Sequence, residues 1–252
     1  LLFYSDQCAQ NSLLLRYPAI NKNGTLLSFS FQGDIWTVPA TGGNATRLTI
    51  HEAYENNPIF SPDGSTIAFS GSRFGNNDIF VIPAEGGQAK RLTFHSGADN
   101  ISSWTQQDKI LFSTSREFKQ IERPSEVYAI NPNGGTEYRI LDAVGYDPII
   151  SPNGRFLVFV RGDINPVSRQ DYQGSSDRDL WIYDISNKKY HQLPGFETND
   201  IYPQWGSNNL IYFLSSIEGA YNIYRLKIDE NGKAFSKPEK LTNYKDESIR
   251  YF

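Results

Sequence analysis

Three histidines, one cysteine and a wide choice of serines set the limits of the chemistry open to this chain of 252 residues. Two of the histidines stand in the same frame, Leu48-Thr49-Ile50-His51 and Leu92-Thr93-Phe94-His95. With a carboxylate such as Glu52 beside them they have the residue types of a metal site. A histidine repeated in one frame is also what a loop cap copied by duplication looks like, and that is the weightier reading. His191, between Tyr190 and Gln192, reads as a surface residue of a strand. No serine has a recognisable base partner. The G-x-S-x-G elbow, the H-E-x-x-H helix, the phosphate loop and the dinucleotide fingerprint are all missing. Cys8 stands alone, so no disulfide, zinc cluster or C-x-x-C pair can form within the chain. The expectation is a segment with no catalytic residue, no metal and no cofactor.

What remains is binding, and it depends on the elements that would hold the candidates. The stretch Asn57–His95 contains four short apolar pieces separated by turn signals. Pro58–Phe60 runs into Ser61-Pro62-Asp63-Gly64, and Thr66–Ser70 runs into Gly75-Asn76-Asn77. Asp78–Ile82 is β-branched and aromatic, ends at Pro83-Ala84-Glu85-Gly86-Gly87, and is followed by Lys90–Phe94. Such runs read as strands joined by hairpins. Four of them in about 40 residues make one propeller blade.

The unit recurs. Copies span Leu14–Ile50, Glu55–Phe94, Asp99–Leu141, Tyr146–Leu193 and Ile201–Thr242, and a sixth begins near Ser248-Ile249-Arg250-Tyr251-Phe252 and is cut off. The fold class expected is all-β: a β-propeller of four-stranded antiparallel blades, five complete plus the first strand of a sixth. Aromatic residues at 14%, 20 Gly and 13 Pro suit short strands and tight turns. No stretch has a helical apolar period.

With strands a to d numbered from the axis outwards, the b–c loops and d–a links share one face of the disc. The regular S-P-D-G and G-G turns lie on the other. Irregular material gathers on the first face, in Glu117–Pro124, Asp163–Arg178, His51–Tyr54 and His95–Ala98. Long loops on a rigid scaffold are where binding resides. The candidate binding residues are therefore His51, Glu52, Tyr54, His95, Arg116, Arg169, Tyr172 and Arg178. The charged insertion that holds Arg169, Tyr172 and Arg178 is either a lip that touches substrate or a solvated loop with internal ion pairs.

Asp34, Asp78, Glu126, Asp179 and Asn222 each open strand c. One per blade, they read as structural acceptors for loose backbone N–H groups. Trp36, Phe80, Tyr128, Trp181 and Tyr224 follow two residues later and are expected to pack between blades.

A net charge of −4 and scattered Lys and Arg leave no footprint for nucleic acid. No apolar run is long enough to span a membrane. Residues 1–10, opening Leu1-Leu2-Phe3-Tyr4-Ser5, read as the remnant of a secretory signal cleaved near Ala9 or Gln10, with the propeller domain over 11–252. That places the protein in the periplasm or outside the cell. Asn23, Asn44 and Asn100 are three-residue sequon matches and carry meaning only where the source glycosylates.

The repeat S-P-D-G…I-A-F…D-I-F…G-G…R-L-T resembles that of TolB-like propellers. The opening L-L-R-Y-P-A-I, then G-D-I-W-T-V-P-A-T-G-G-N-A-T-R-L-T-I-H-E-A-Y and S-R-F-G-N-N-D-I-F-V-I-P-A-E-G-G, is similar to the N-terminus of tricorn-type serine peptidases, closest to the secreted bacterial homologues. The likeness continues through D-L-W-I-Y-D and N-I-Y-R to Phe252. It implies a six-bladed propeller followed by a seven-bladed one, a PDZ domain and a serine-peptidase core, with the propellers governing passage of peptides. No position here matches the catalytic residues of that core. The implied partners are peptides or proteins and the C-terminal domains of the same polypeptide, with a homo-oligomer open. Two other readings stay open: a TolB-like protein-binding scaffold, and the propeller of another hydrolase of prolyl-oligopeptidase or amidohydrolase-fusion type. The chain departs from the family pattern in its cut-off sixth blade and in Gln106-Gln107-Asp108, which replaces S-P-D-G in the third copy.

Overall fold

Ser61-Pro62-Asp63-Gly64 shows how the sequence builds a hairpin. The Ser61 hydroxyl donates to Asp63 at 2.6 Å, the Ser65 N–H donates to the same carboxylate at 3.0 Å, and the Ser61 oxygen accepts the Thr66 N–H at 3.0 Å. Gly64 closes the turn at φ +77°, a conformation cheap only for glycine. The Ser61 hydroxyl and Ser65 donors hold Asp63 down at a pKa of about 2. Blade four repeats the device with Ser151 and Asn153.

The computed structural model describes residues 14–116, 125–162, 177–196 and 198–252. Blade one comprises β1 (Arg16–Ile20), β2 (Leu26–Phe31), β3 (Asp34–Pro39) and β4 (Thr46–Arg47). Blade two comprises β5 (Glu55–Phe60), β6 (Thr66–Gly71), β7 (Asp78–Pro83) and β8 (Lys90–Arg91). Blade three comprises β9 (Asp99–Trp104), β10 (Ile110–Thr114), β11 (Glu126–Ile130) and β12 (Tyr138–Arg139). Blade four comprises β13 (Tyr146–Ile150), β14 (Phe156–Arg161), β15 (Asp179–Asp184) and β16 (Lys189–Gln192). Blade five comprises β17 (Asp200–Trp205), β18 (Leu210–Ser215), β19 (Asn222–Lys227) and β20 (Glu239–Lys240). Each blade is one antiparallel meander, and no helix occurs among the described residues.

The recurring R-L-T has a physical explanation. In blade two Arg91 pairs with Asp78 at 2.8 Å, the Leu92 N–H donates to the Ile79 carbonyl, and the Thr93 hydroxyl accepts the Ile79 N–H at 3.0 Å. In blade one Arg47 pairs with Asp34, while Leu48 and Thr49 take the same roles toward Ile35. The strand-c acceptors do tie loose N–H groups: Asp34 accepts from His51 and Asn222 from Tyr244. Both reduce the number of unpaired backbone groups at the outer hairpin.

The apolar faces of neighbouring blades form four cores. Ile35 of blade one joins Phe69 and Phe80 of blade two, and Leu92 of blade two joins Phe112 and Tyr128 of blade three. Leu111 of blade three joins Phe159 of blade four, and Ile182 of blade four joins Phe213 and Tyr224 of blade five. Phe80, Tyr128, Trp181 and Tyr224 pack between blades as expected, whereas Trp36 lies edge-on to Phe31 within blade one.

One backbone bond carries each blade into the next. The first-strand residues Glu55, Asp99 and Asp200, and Gly145 just before β13, donate to the residue that precedes strand c of the previous blade, at 2.7–2.8 Å. Ile249 makes the same bond to Tyr221 at 3.0 Å. Residues 248–252 therefore enter at the place of a sixth first strand, although they pair with no strand. Tyr251 lies between Tyr17 of blade one and Tyr202 of blade five, with ring centroids 4.4 and 6.4 Å away.

Candidate functional site

The innermost strands carry a feature that the sequence reading passed over. In β1, β5, β13 and β17 the pairing to the second strand slips at an X-Pro step: Tyr17-Pro18, Asn57-Pro58, Asp147-Pro148 and Tyr202-Pro203. Proline has no N–H to give to the ladder, so a bulge forms there. The residue before each proline sits at φ between +49° and +58°. For a tyrosine this is a costly conformation, of the order of 1–3 kcal/mol. In β9 the step is Ile101-Ser102; the register still slips, but Ile101 is not left-handed. The signal was available, as proline inside a first strand in four of five copies.

The bulges of blades one, two and five, with Ser102 and Ser103 of blade three, line an axial cavity of about 840 Å³. Tyr17, Asn57, Tyr202 and Tyr251 line one end, and Trp104 and Trp205 lie toward the other. Among the described residues of this lining, Lys22 is the one that carries a charge. The cavity also reaches Tyr212, Ile223 and Leu241 on the flank of blade five. Asn57 bridges to the next blade, its amide donating to the Ile101 carbonyl at 3.0 Å.

Asp147 occupies the same bulge position in blade four. Burial pushes its pKa up to about 6, against the pull of Arg178. Burial and the Asp147 charge together push the Tyr202 phenol up to about 12. Burial and the Tyr251 hydroxyl raise Tyr17 as well.

A second cavity of about 610 Å³ on the b–c face brings His51, Glu52 and Tyr54 together with Arg16 and Gln32. The Tyr54 hydroxyl beside Arg16 raises the pKa of its guanidinium. His51 is a loop cap: its Nδ1 accepts the Ala53 N–H at 2.9 Å. His95 does the same for Gly97 at 2.8 Å, in the neighbouring link. No group of three or more His, Cys, Asp or Glu suited to a metal ion occurs among the described residues.

Arg116 is engaged inside blade three. It pairs with Asp99 at 2.7 Å, lies 3.7 Å from Glu137 and covers the rings of Phe112 and Tyr128. Arg178 is buried, and its carbonyl accepts the Asp200 N–H. Arg169 and Tyr172 lie outside the described residues, as does most of the insertion that carries them. The structure thus joins His51, Glu52 and Tyr54 in one pocket and leaves Arg116 and Arg178 outside it, Arg116 against Asp99 and Arg178 beside the first strand of blade five.

Residues 12–252 match the Tricorn protease N-terminal beta propeller domain. A tricorn protease homolog of Saccharolobus solfataricus is 28% identical over 234 residues, which is 90% of this chain and 21% of the relative. The crystal structure of the tricorn protease superposes with a TM-score of 0.77 at 21% identity, over 93% of this chain and 23% of that one. A TolB structure from Agrobacterium tumefaciens superposes with a TM-score of 0.72 at 18% identity, over 90% and 80%. At such identities the two structures speak to the fold alone. The chain spans about a fifth of the length of the curated tricorn relatives it matches.

Proposed function

The chain belongs to the family of tricorn protease N-terminal β-propeller domains, and from that membership we propose that it is a non-catalytic, peptide-binding propeller that admits peptides to, or releases them from, a serine-peptidase core on the same polypeptide. The axial cavity is the observation that carries this reading. Its lining of aromatic rings, amides and hydroxyls suits an extended backbone with varied side chains. Strained tyrosines at its rim are the kind of outlier that marks a working site. Export to the periplasm or beyond is part of the proposal, from the signal-like residues 1–10. So is completion of a sixth blade by residues beyond Phe252, which would cover the flank of blade five.

Calorimetric titration with a mixed library of short peptides tests the binding. Saturable heat that is lost in Tyr202→Ala is the expected result. A fluorophosphonate probe should leave every serine of this chain unlabelled, since no described serine is hydrogen-bonded to a histidine base. Absence of peptide binding, with capture of a folded protein partner instead, would favour the TolB-like scaffold.

A further inference from the structure

The cavity over blade one is lined by charges that the fold itself does not use. Arg47, Arg73, Arg91 and Arg116 each pair with a carboxylate of their own blade. In blades two and three the acid that opens the first strand, Glu55 or Asp99, is the one that takes the arginine at the b–c end. Leu15 stands at that position in blade one, directly before Arg16. Arg16 is exposed, and the described groups that act on it are the hydroxyls of Tyr54, Tyr251 and Tyr17, with no carboxylate among them. Glu52, in the same lining, has no ion pair with any described cation. The links between blades supply an internal control. His51-Glu52-Ala53-Tyr54 and His95-Ser96-Gly97-Ala98 occupy the same place in consecutive blades, and both carry the capping histidine. Glu52 and Tyr54 have no counterpart in the second link, so the scaffold does not require them.

The local geometry leaves room for a ligand. The b–c turn of blade one is only Gln32-Gly33, at φ +52° and +89°, where blade two has residues 72–77. A glutamine in such a turn is a strained choice where asparagine or glycine is usual. Over this short turn lies the cavity of about 610 Å³, a size usual for small-molecule sites. His51 accepts the Ala53 N–H on Nδ1, which leaves the proton of the neutral ring on Nε2, and no described group accepts it. Donors on Arg16, His51 and Tyr54 and an acceptor on Glu52 therefore line one cavity, and Leu14, Phe31 and Ala53 are its apolar part. A guanidinium with neutral donors beside it suits a carboxylate, and Glu52 is a counter-charge for an ammonium group. We propose that this cavity binds a small zwitterion, a free apolar amino acid or a dipeptide, with its carboxylate on Arg16, Tyr54 and His51, its ammonium group on Glu52 and its side chain against Leu14 and Phe31. The axial cavity takes no part in this, so the assignment stands or falls apart from the peptide-gating reading.

The test titrates the whole chain calorimetrically at pH 7 with leucine, leucyl-leucine and the N-acetylated and C-amidated forms of each. Leucine or leucyl-leucine should bind saturably and at least about tenfold more tightly than either blocked form. The tighter of the two tells whether an amino acid or a dipeptide is the ligand. Arg16→Gln should weaken binding of the free form at least about tenfold. Glu52→Gln should bring the free and N-acetylated forms within about twofold of each other. Both side chains are exposed, so neither substitution disturbs a packed core. Ser96→Ala, at the place of Glu52 in the next link, should leave the affinity unchanged. So should Tyr202→Ala, which removes peptide binding from the axial cavity and thereby separates the two sites. Equal binding of free and blocked forms, or no binding of either free form, would overturn the proposal and leave the axial reading untouched.

Discussion

Blades two and five share one plan and differ in how they complete it. In blade two the acid that opens the first strand, Glu55, is fully buried and takes Arg73 from the end of the second strand at 2.5 Å. Arg73 also covers the rings of Phe69 and Phe80. Blade three repeats this with Asp99 and Arg116. In blade five the acid is Asp200, equally buried, and the arginine position holds Ile217. Asp200 accepts the Phe196 N–H at 3.0 Å, and its Oδ1 has no partner among the described residues. Burial pushes its pKa up to about 7, and Asp179 and Asp177 add to the push. The outer strands differ in the same way. Leu92 of blade two is 2% exposed under blade three, whereas Leu241, the same residue of the R-L-T motif, is 41% exposed. Identical motifs thus acquire different energetics from what lies across the blade.

The largest effect is expected from Arg73→Ala. It strands Glu55 as an uncompensated buried charge, at a cost of about 3–5 kcal/mol. The denaturation midpoint should fall by roughly 10 °C on the scale of 2–4 °C per kcal/mol. A fall of less than about 2 °C would erase the distinction between the two blades.

Asp200→Asn should matter next, and only at neutral or alkaline pH. The folded pKa of about 7 lies above the ordinary aspartate value of 3.8. Stability is therefore full below the unfolded pKa, declines between the two values, and bears the whole penalty above about 7. At pH 8 the variant should be the more stable protein by a few kcal/mol, on the order of the pKa difference; at pH 4 the two should be alike. Ile217→Arg should also flatten the pH profile of the melting temperature. A stability difference between the two proteins that is the same at pH 4 and pH 8 would show that Asp200 is an ordinary low-pKa carboxylate.

The smallest contrast is between two leucines. Leu92→Ala removes a covered side chain and should cost about 2–5 kcal/mol. Leu241→Ala, on the open flank, should stay within about 0.5 kcal/mol. Urea midpoints measured side by side would expose any hidden cover over blade five, because the two losses would then match.

The blades were legible in the sequence because their causes are local. Ser61-Pro62-Asp63-Gly64 sets a hairpin from within itself, and alternation along Thr66–Ser70 sends Ile67 and Phe69 toward blade one and Ala68 toward blade three. Repetition then carries the reading through weaker copies such as Asp99–Leu141. The loop-cap reading of His51 and His95 held for the same reason, since each imidazole bonds a backbone N–H two residues away.

What tertiary structure alone decided is everything that depends on residues far apart in the chain. Arg116 looked like a loop cation, but folding places it against Asp99 and the rings of its own blade. Asp147 and Arg178 are brought together by two strands of blade four, and Tyr17 meets Tyr251 from opposite ends of the chain. The orphaned state of Asp200 is equally invisible in a list of residues, because it consists of an absent arginine at Ile217. Local periodicity fixes each blade, but the environment of an axial or interblade charge is set by closing the ring. Desolvation then determines whether a carboxylate is an ordinary anion or a group poised near neutrality.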